Sequence, residues 1–176
     1  MSQLFSPLSL GKLSLPNRII IAPMCQYSAI NGEATDWHTI HLGQLSLSGA
    51  GLLIMEATAV SPEGRISYGD LGLWNNETQK ALGKTLNAVR QYSDMPIGIQ
   101  LAHAGRKAST GKPWDDVGAI SPSDKNGWQT IAPSAQAYDE HSFEPVAMSK
   151  ADIGQLIADF ASAAKRADEL GLDLIE

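Results

Sequence analysis

Apolar residues in this chain gather into four short, nearly continuous runs, separated by stretches in which they recur every three or four positions. The runs lie at 18–22, 52–57, 97–101 and 172–176. The first three, rich in Ile and Leu and with little polar alternation, predict strands covered on both faces, and Leu172-Asp173-Leu174-Ile175-Glu176 is read as a fourth strand. Between them lie segments of helical period. In the first, 37–48, Ile40, Leu42, Leu45 and Leu47 are expected to form a broad apolar face behind a cap at Thr35 or Asp36. The second, 77–92, follows Asn76 and carries the stripe Leu82, Leu86, Val89. The third opens at Ser149, with Asp152 completing a capping box, and Gly171 is placed to stop it. Its apolar positions are Ile153, Leu156, Ile157, Phe160, Ala164 and Ala167. Ahead of all these, residues 4–15 set leucines among turn formers, the pattern of a short hairpin or plug.

Strand and helix alternate, and that order predicts a parallel sheet with helices outside it. Four such units are half of a (β/α)8 barrel, whose complete form takes ~250 residues. At 176 residues, the chain is expected to supply the N-terminal half of such a TIM barrel and to work with its missing half. A small doubly wound sheet is the alternative, but no Gly-x-Gly-x-x-Gly follows the first strand. Segment 102–148 interrupts the alternation with Gly, Pro, Ser and Asp. It exceeds the ~12–15 residues usual for an unstructured connection. Trp114, Trp128, Ile131, Tyr138 and Phe143 within it point to an ordered flap over the barrel top.

Hydrophobic content of 43% and charged content of 18% are globular values. A net charge of -6 argues against nucleic acid or an anionic membrane as partner. No apolar run approaches the ~20 residues needed to span a bilayer. Met1-Ser2-Gln3-Leu4-Phe5 lacks the features of a signal peptide, and the single cysteine cannot form an internal disulfide. The expected location is the cytoplasm.

In parallel α/β sheets, functional groups collect where strands end. The first strand runs directly into Ala22-Pro23-Met24-Cys25-Gln26-Tyr27, which holds the only cysteine and a phenol. Gln100 places a carboxamide at the end of an otherwise apolar strand, where it needs partners. His38 and His41, three apart, together with His103 open a second reading as a metal-dependent barrel hydrolase. Against it, the pair falls inside a helix and no carboxylate-rich strand end accompanies it. His103 and Arg106 read as organisers of their loop or of a subunit contact. Lys107 sits in a polar loop with nothing to activate it as a Schiff-base lysine. A third reading is a non-catalytic half-barrel that acts only in assembly.

Several strings together resemble the old yellow enzyme family, in particular its bacterial xenobiotic-reductase branch. They are Asn17-Arg18-Ile19 leading to Ala22–Tyr27, Glu56–Val60 with Pro62-Glu63-Gly64-Arg65-Ile66, Gly98–Lys107, and Ile131-Ala132-Pro133-Ser134-Ala135. The resemblance implies a barrel holding FMN, reduced by NADPH or NADH, that passes a hydride to the double bond of an enone or similar activated alkene. It places Ala22, Pro23, Met24, Cys25, Ala57 and Gln100 against the flavin, with Cys25 tuning its redox potential. It gives Tyr27 a hydrogen bond to substrate, with Ile66 and Ala102 lining the pocket. A homo-oligomer is the expected form of the complete enzyme. The carbonyl-binding and proton-donating groups belong to later strands of the family, so Tyr27 is not assigned as proton donor.

Overall fold

In the computed structural model, residues 2–176 are described. An N-terminal hairpin pairs β1 (Leu8–Leu10) with β2 (Leu13–Leu15), as the leucine-and-turn pattern predicts. The central sheet is parallel and contains β3 (Ile20–Ile21), β4 (Leu52–Ala59), β5 (Ile97–Ala102) and β8 (Leu174–Ile175). Its strands lie side by side in the order in which they occur in the chain. A doubly wound sheet reverses its strand order at a switch point; this one does not, and with right-handed crossovers it builds a barrel wall.

Helices α1 (Asp36–Ser46), α2 (Asn76–Val89) and α3 (Lys150–Glu169) form the outer layer. Capping is as expected for α3, where Ser149 and Asp152 exchange bonds; on α2 the cap is Asn75, one residue before the expected Asn76, and it accepts from the Thr78 N–H. Gly171 follows the end of α3 at φ +67°, a left-handed conformation that glycine adopts without strain. The core lies between sheet and helices, where Leu53, Met55, Ile97 and Ile99 meet Leu42, Leu82, Leu86, Val89 and Ala167. Each large side chain buried there contributes ~1.5–3 kcal/mol.

Three expectations are corrected. The first strand pairs over only two residues and leaves Ile20 42% exposed, because β4 is its neighbour on one side alone. On α1, the buried positions are His38, Leu42 and Ser46, while Ile40 and Leu47 face out. The helix thus rests on His38 together with Leu42 and the half-buried Leu45, two of the four apolar positions expected. On α3, the small Ala163 and Ala167 make the close contact and Ile153 and Ile157 are exposed.

β4 carries a bulge. Met55 stands opposite Ile99 and Ala57 opposite Gln100, so Glu56 is the extra residue. Segment 102–148 contains the turn Gly105–Lys107 and a two-residue parallel pair, β6 (Ile131–Ala132) with β7 (Val146–Ala147). It is tied to the loop after β4 through Trp128, whose Nε1–H donates to the Glu63 carbonyl at 2.9 Å. The Arg65 guanidinium covers that indole, 4.9 Å from the ring centre.

Candidate functional site at the strand ends

The loop that leaves β3 crosses the carboxyl end of β4. There the backbone of Ala57 lies within hydrogen-bonding reach of the Cys25 thiol. Ala57 faces Gln100 across the β4–β5 ladder, and Ala59 faces Ala102 two residues further on. Side chains that pair across a ladder share one face of the sheet, so Ala57, Gln100 and the Cys25 loop converge at a single place. Ala22 and Met24 are exposed there, Met24 by 56%. Gln100 Nε2–H donates to Glu176 Oε1 at 2.8 Å, which leaves its carbonyl oxygen available as an acceptor.

The thiol is held protonated. Burial is the largest cause, and the carboxylates of Asp70 and Glu56 add to it, raising Cys25 from 9.0 to about 11. Tyr27 is also raised, by burial first and then by Cys25, Asp70 and Glu56. Both groups therefore present O–H or S–H donors at neutral pH. Tyr27 adopts φ +52°, a left-handed conformation uncommon for a non-glycine residue, and its ring meets Trp114 edge-on at 5.9 Å.

What holds Tyr27 in that conformation lies beneath it. A Cβ added to Gly69 would come 2.5 Å from the Tyr27 carbonyl oxygen, so only glycine permits this approach. Gly69 in turn accepts the Ala29 N–H at 2.8 Å. The Gly69 turn is organised by Asp70, 1% exposed, which accepts from Ile66 N–H, Ser67 N–H and Ser67 Oγ. Burial still pushes the Asp70 carboxyl upward, outweighing those three donors.

Glu56 is the second support. Its Oε2 accepts the Gln26 N–H at 2.8 Å, and Oε1 lies 3.5 Å from His38 Nε2. His38 Nδ1 accepts the Thr35 N–H at 2.9 Å, so the ring proton sits on Nε2, facing the carboxylate. That contact is at the outer limit of a hydrogen bond, and Nε2 has no closer partner. One bulged carboxylate thus joins the cysteine loop to the start of α1. Gln26 adds a second tie to the helix, accepting from Trp37 Nε1–H at 3.1 Å.

Reading the residues alone did not single out Glu56 or Asp70 as supports. The available signal was a carboxylate set inside the apolar run Leu52–Ala59, where an ionised group is costly unless it is paired. Ile66 falls elsewhere than the strand-end cluster: its side chain lines a cavity built mainly by segment 102–148. The histidines do not assemble. His38 is committed to Thr35 and Glu56, and His103 Nδ1 accepts the Gly105 N–H at 3.0 Å. Among the described residues, no three His, Cys, Asp or Glu side chains group closely enough to hold a metal ion.

Residues 3–176 match the family described as NADH:flavin oxidoreductase / NADH oxidase. An NADH:flavin oxidoreductase of Gibberella zeae is 44% identical over 99% of this chain and 43% of its own length. An NADPH dehydrogenase of Listeria monocytogenes is 46% identical over the whole of this chain and 48% of its own length. Among solved structures, morphinone reductase superposes with a TM-score of 0.81 at 30% identity, covering 98% of this chain and 46% of that one. An old yellow enzyme from Pichia sp. gives 0.82 at 26% identity, covering 98% and 45%. The chain spans about half the length of the curated relatives it matches. Those neighbours are complete TIM barrels, so the wall of β3, β4, β5 and β8 is about half of one.

Proposed function

The chain belongs to the NADH:flavin oxidoreductase / NADH oxidase family, and we propose that it forms one side of an FMN site for NAD(P)H-dependent reduction of activated carbon–carbon double bonds. The other half of the barrel, from the same or a separate chain, completes the site in this reading. The observation that carries it is the convergence of Cys25, Ala57 and Gln100 where adjacent parallel strands end.

The donor set fits a flavin. The ring is flat and broad, and Ala57 offers only a methyl group beside it. Ala22, Pro23 and Met24 present an edge of exposed chain with backbone groups along it. The Gln100 carboxamide both donates and accepts, as the ring's pyrimidine side requires. FMN, when bound, supplies a two-electron relay between NADPH or NADH and the alkene. The protein's own part is placement. Cys25, protonated to about pH 11, serves as a weak hydrogen-bond donor that tunes potential rather than as a nucleophile. Tyr27 donates to a substrate carbonyl oxygen through a phenol that is protonated at neutral pH and that burial shifts further upward. Ala102 lines the substrate pocket, and segment 102–148 serves as an ordered flap.

The substrate class is enones and comparable xenobiotic alkenes. A reducing, cytoplasmic setting suits a site in which Cys25 works as a thiol, and the complete enzyme is a homo-oligomer. The test is to mix this chain with the complementary half-barrel and titrate FMN. Quenched flavin fluorescence together with NAD(P)H-dependent loss of an enone is expected. Stoichiometric metal without bound flavin would sink the reading.

A further inference from the structure

Segment 102–148 and the loop after β4 enclose a cavity of about 220 Å³ that none of Ala22, Cys25, Ala57, Gln100 or Ala102 lines. Its walls are apolar, formed by Ile66, Ile120, Trp128 and Phe143. The polar groups at its edge are mostly satisfied: Ser109 Oγ donates to the Ile120 carbonyl at 3.0 Å and accepts the Trp128 N–H at 3.0 Å. One is not. Thr130, 4% exposed, also lines the cavity, and its Oγ1 is buried without a hydrogen-bond partner. A buried hydroxyl left unpaired costs ~1–3 kcal/mol, so it marks a place where a polar atom of a ligand would be accommodated.

The rim is cationic. Arg106 and Lys107 both line the cavity, and their charged groups lie 5.9 and 4.7 Å from the centre of the Tyr138 ring. Neither pairs with a carboxylate among the described residues. Asp139, next to Tyr138, is turned to Ser142 Oγ and the His141 N–H. The space is below the ~300 Å³ at which drug-sized ligands are held, so the occupant is small. We propose that this cavity is a binding site for a small carboxylate with a single-ring or short aliphatic body. Its apolar part packs against Trp128 and Phe143, and its anionic end meets Arg106 and Lys107, within reach of the Thr130 hydroxyl.

The site needs no flavin, so its test is separate from that of the proposed activity. Benzoate and its neutral isostere benzamide are titrated calorimetrically into the protein. Benzoate is expected to bind, and benzamide to bind roughly tenfold more weakly because it lacks charge-assisted hydrogen bonds. The double variant Arg106→Gln, Lys107→Gln, at exposed positions that do not threaten folding, is expected to lose a similar factor for benzoate alone. Thr130→Val is expected to weaken benzoate about threefold while the melting temperature holds or rises. Equal affinity for the two probes, binding indifferent to the double variant, or no binding of benzoate overturns the proposal.

Discussion

Glu56 and His38 face each other at 3.5 Å, both almost wholly buried, and neither lies in the loop whose shape they set. The carboxylate's other oxygen holds the Gln26 N–H, and the histidine's other nitrogen holds the start of α1. Replacing Glu56 by Leu removes the acceptor from both partners. Chemical unfolding is expected to show a loss of ~2–4 kcal/mol, since each stranded donor costs its desolvation. A loss under half a kilocalorie would show that solvent takes over the pairing.

The Cys25 thiol is expected to titrate with a midpoint of about 11. Ultraviolet absorbance of the thiolate reads this directly. The folded chain binds the proton more tightly than the unfolded chain does, so the thiol leaves stability unchanged below pH 9, lowers it as pH climbs from 9 to about 11, and leaves it at that lower level above. Glu56→Gln removes one of the negative charges that raise the thiol, and its midpoint should fall. It should stay above the ordinary value, because burial is the larger cause. A midpoint at 9 in the unmodified protein would contradict the packing around Cys25.

Gly69→Ala places a methyl group 2.5 Å from the Tyr27 carbonyl oxygen, backbone that cannot swing aside. We expect ~1–3 kcal/mol of destabilisation, in the range of overpacked sites. The Tyr27–Trp114 contact should loosen with it, visible as a change in tyrosine and tryptophan near-ultraviolet dichroism.

In the completed barrel, Gln100→Leu should weaken FMN by ~0.5–1.5 kcal/mol, the worth of a neutral hydrogen bond. Equilibrium titration of flavin fluorescence checks this. Tyr27→Phe should leave FMN affinity unchanged and weaken an enone by a similar amount. Identical behaviour with every enone tried would make Tyr27 a structural residue.

Strand ends were the most legible part of the sequence. Leu52–Ala57 and Ile97–Leu101 announced themselves because continuous apolar runs have few other uses, and the loop at Ala22–Tyr27 followed from where such strands stop. On α1, Leu42 and Leu45 are legible as core, but Ile40 and Leu47 look like core and face solvent, while His38 is buried. Periodicity ranks residues by hydrophobicity, whereas a buried carboxylate at Glu56 chooses its neighbours by hydrogen bonding. Asp70 was illegible for the same reason. Its role is to shape a turn, and nothing in Tyr68-Gly69-Asp70 states which loop the turn supports.

The bulge at Glu56 splits β4 into two reading frames. Before it, odd-numbered side chains such as Leu53 and Met55 look towards the helices. After it, odd-numbered Ala57 looks the other way, level with Gln100. Deleting one residue between Met55 and Ala57 would therefore keep the wall's pairing intact while removing the anchor of the cysteine loop. Adding one would rotate Ala57 out of line with Gln100. The strand tolerates many changes of residue type, but sequences that lengthen it at this point should retain a barrel wall while losing the face shared by Ala57 and Gln100, and sequences that shorten it should keep that face while losing the carboxylate that ties down the cysteine loop.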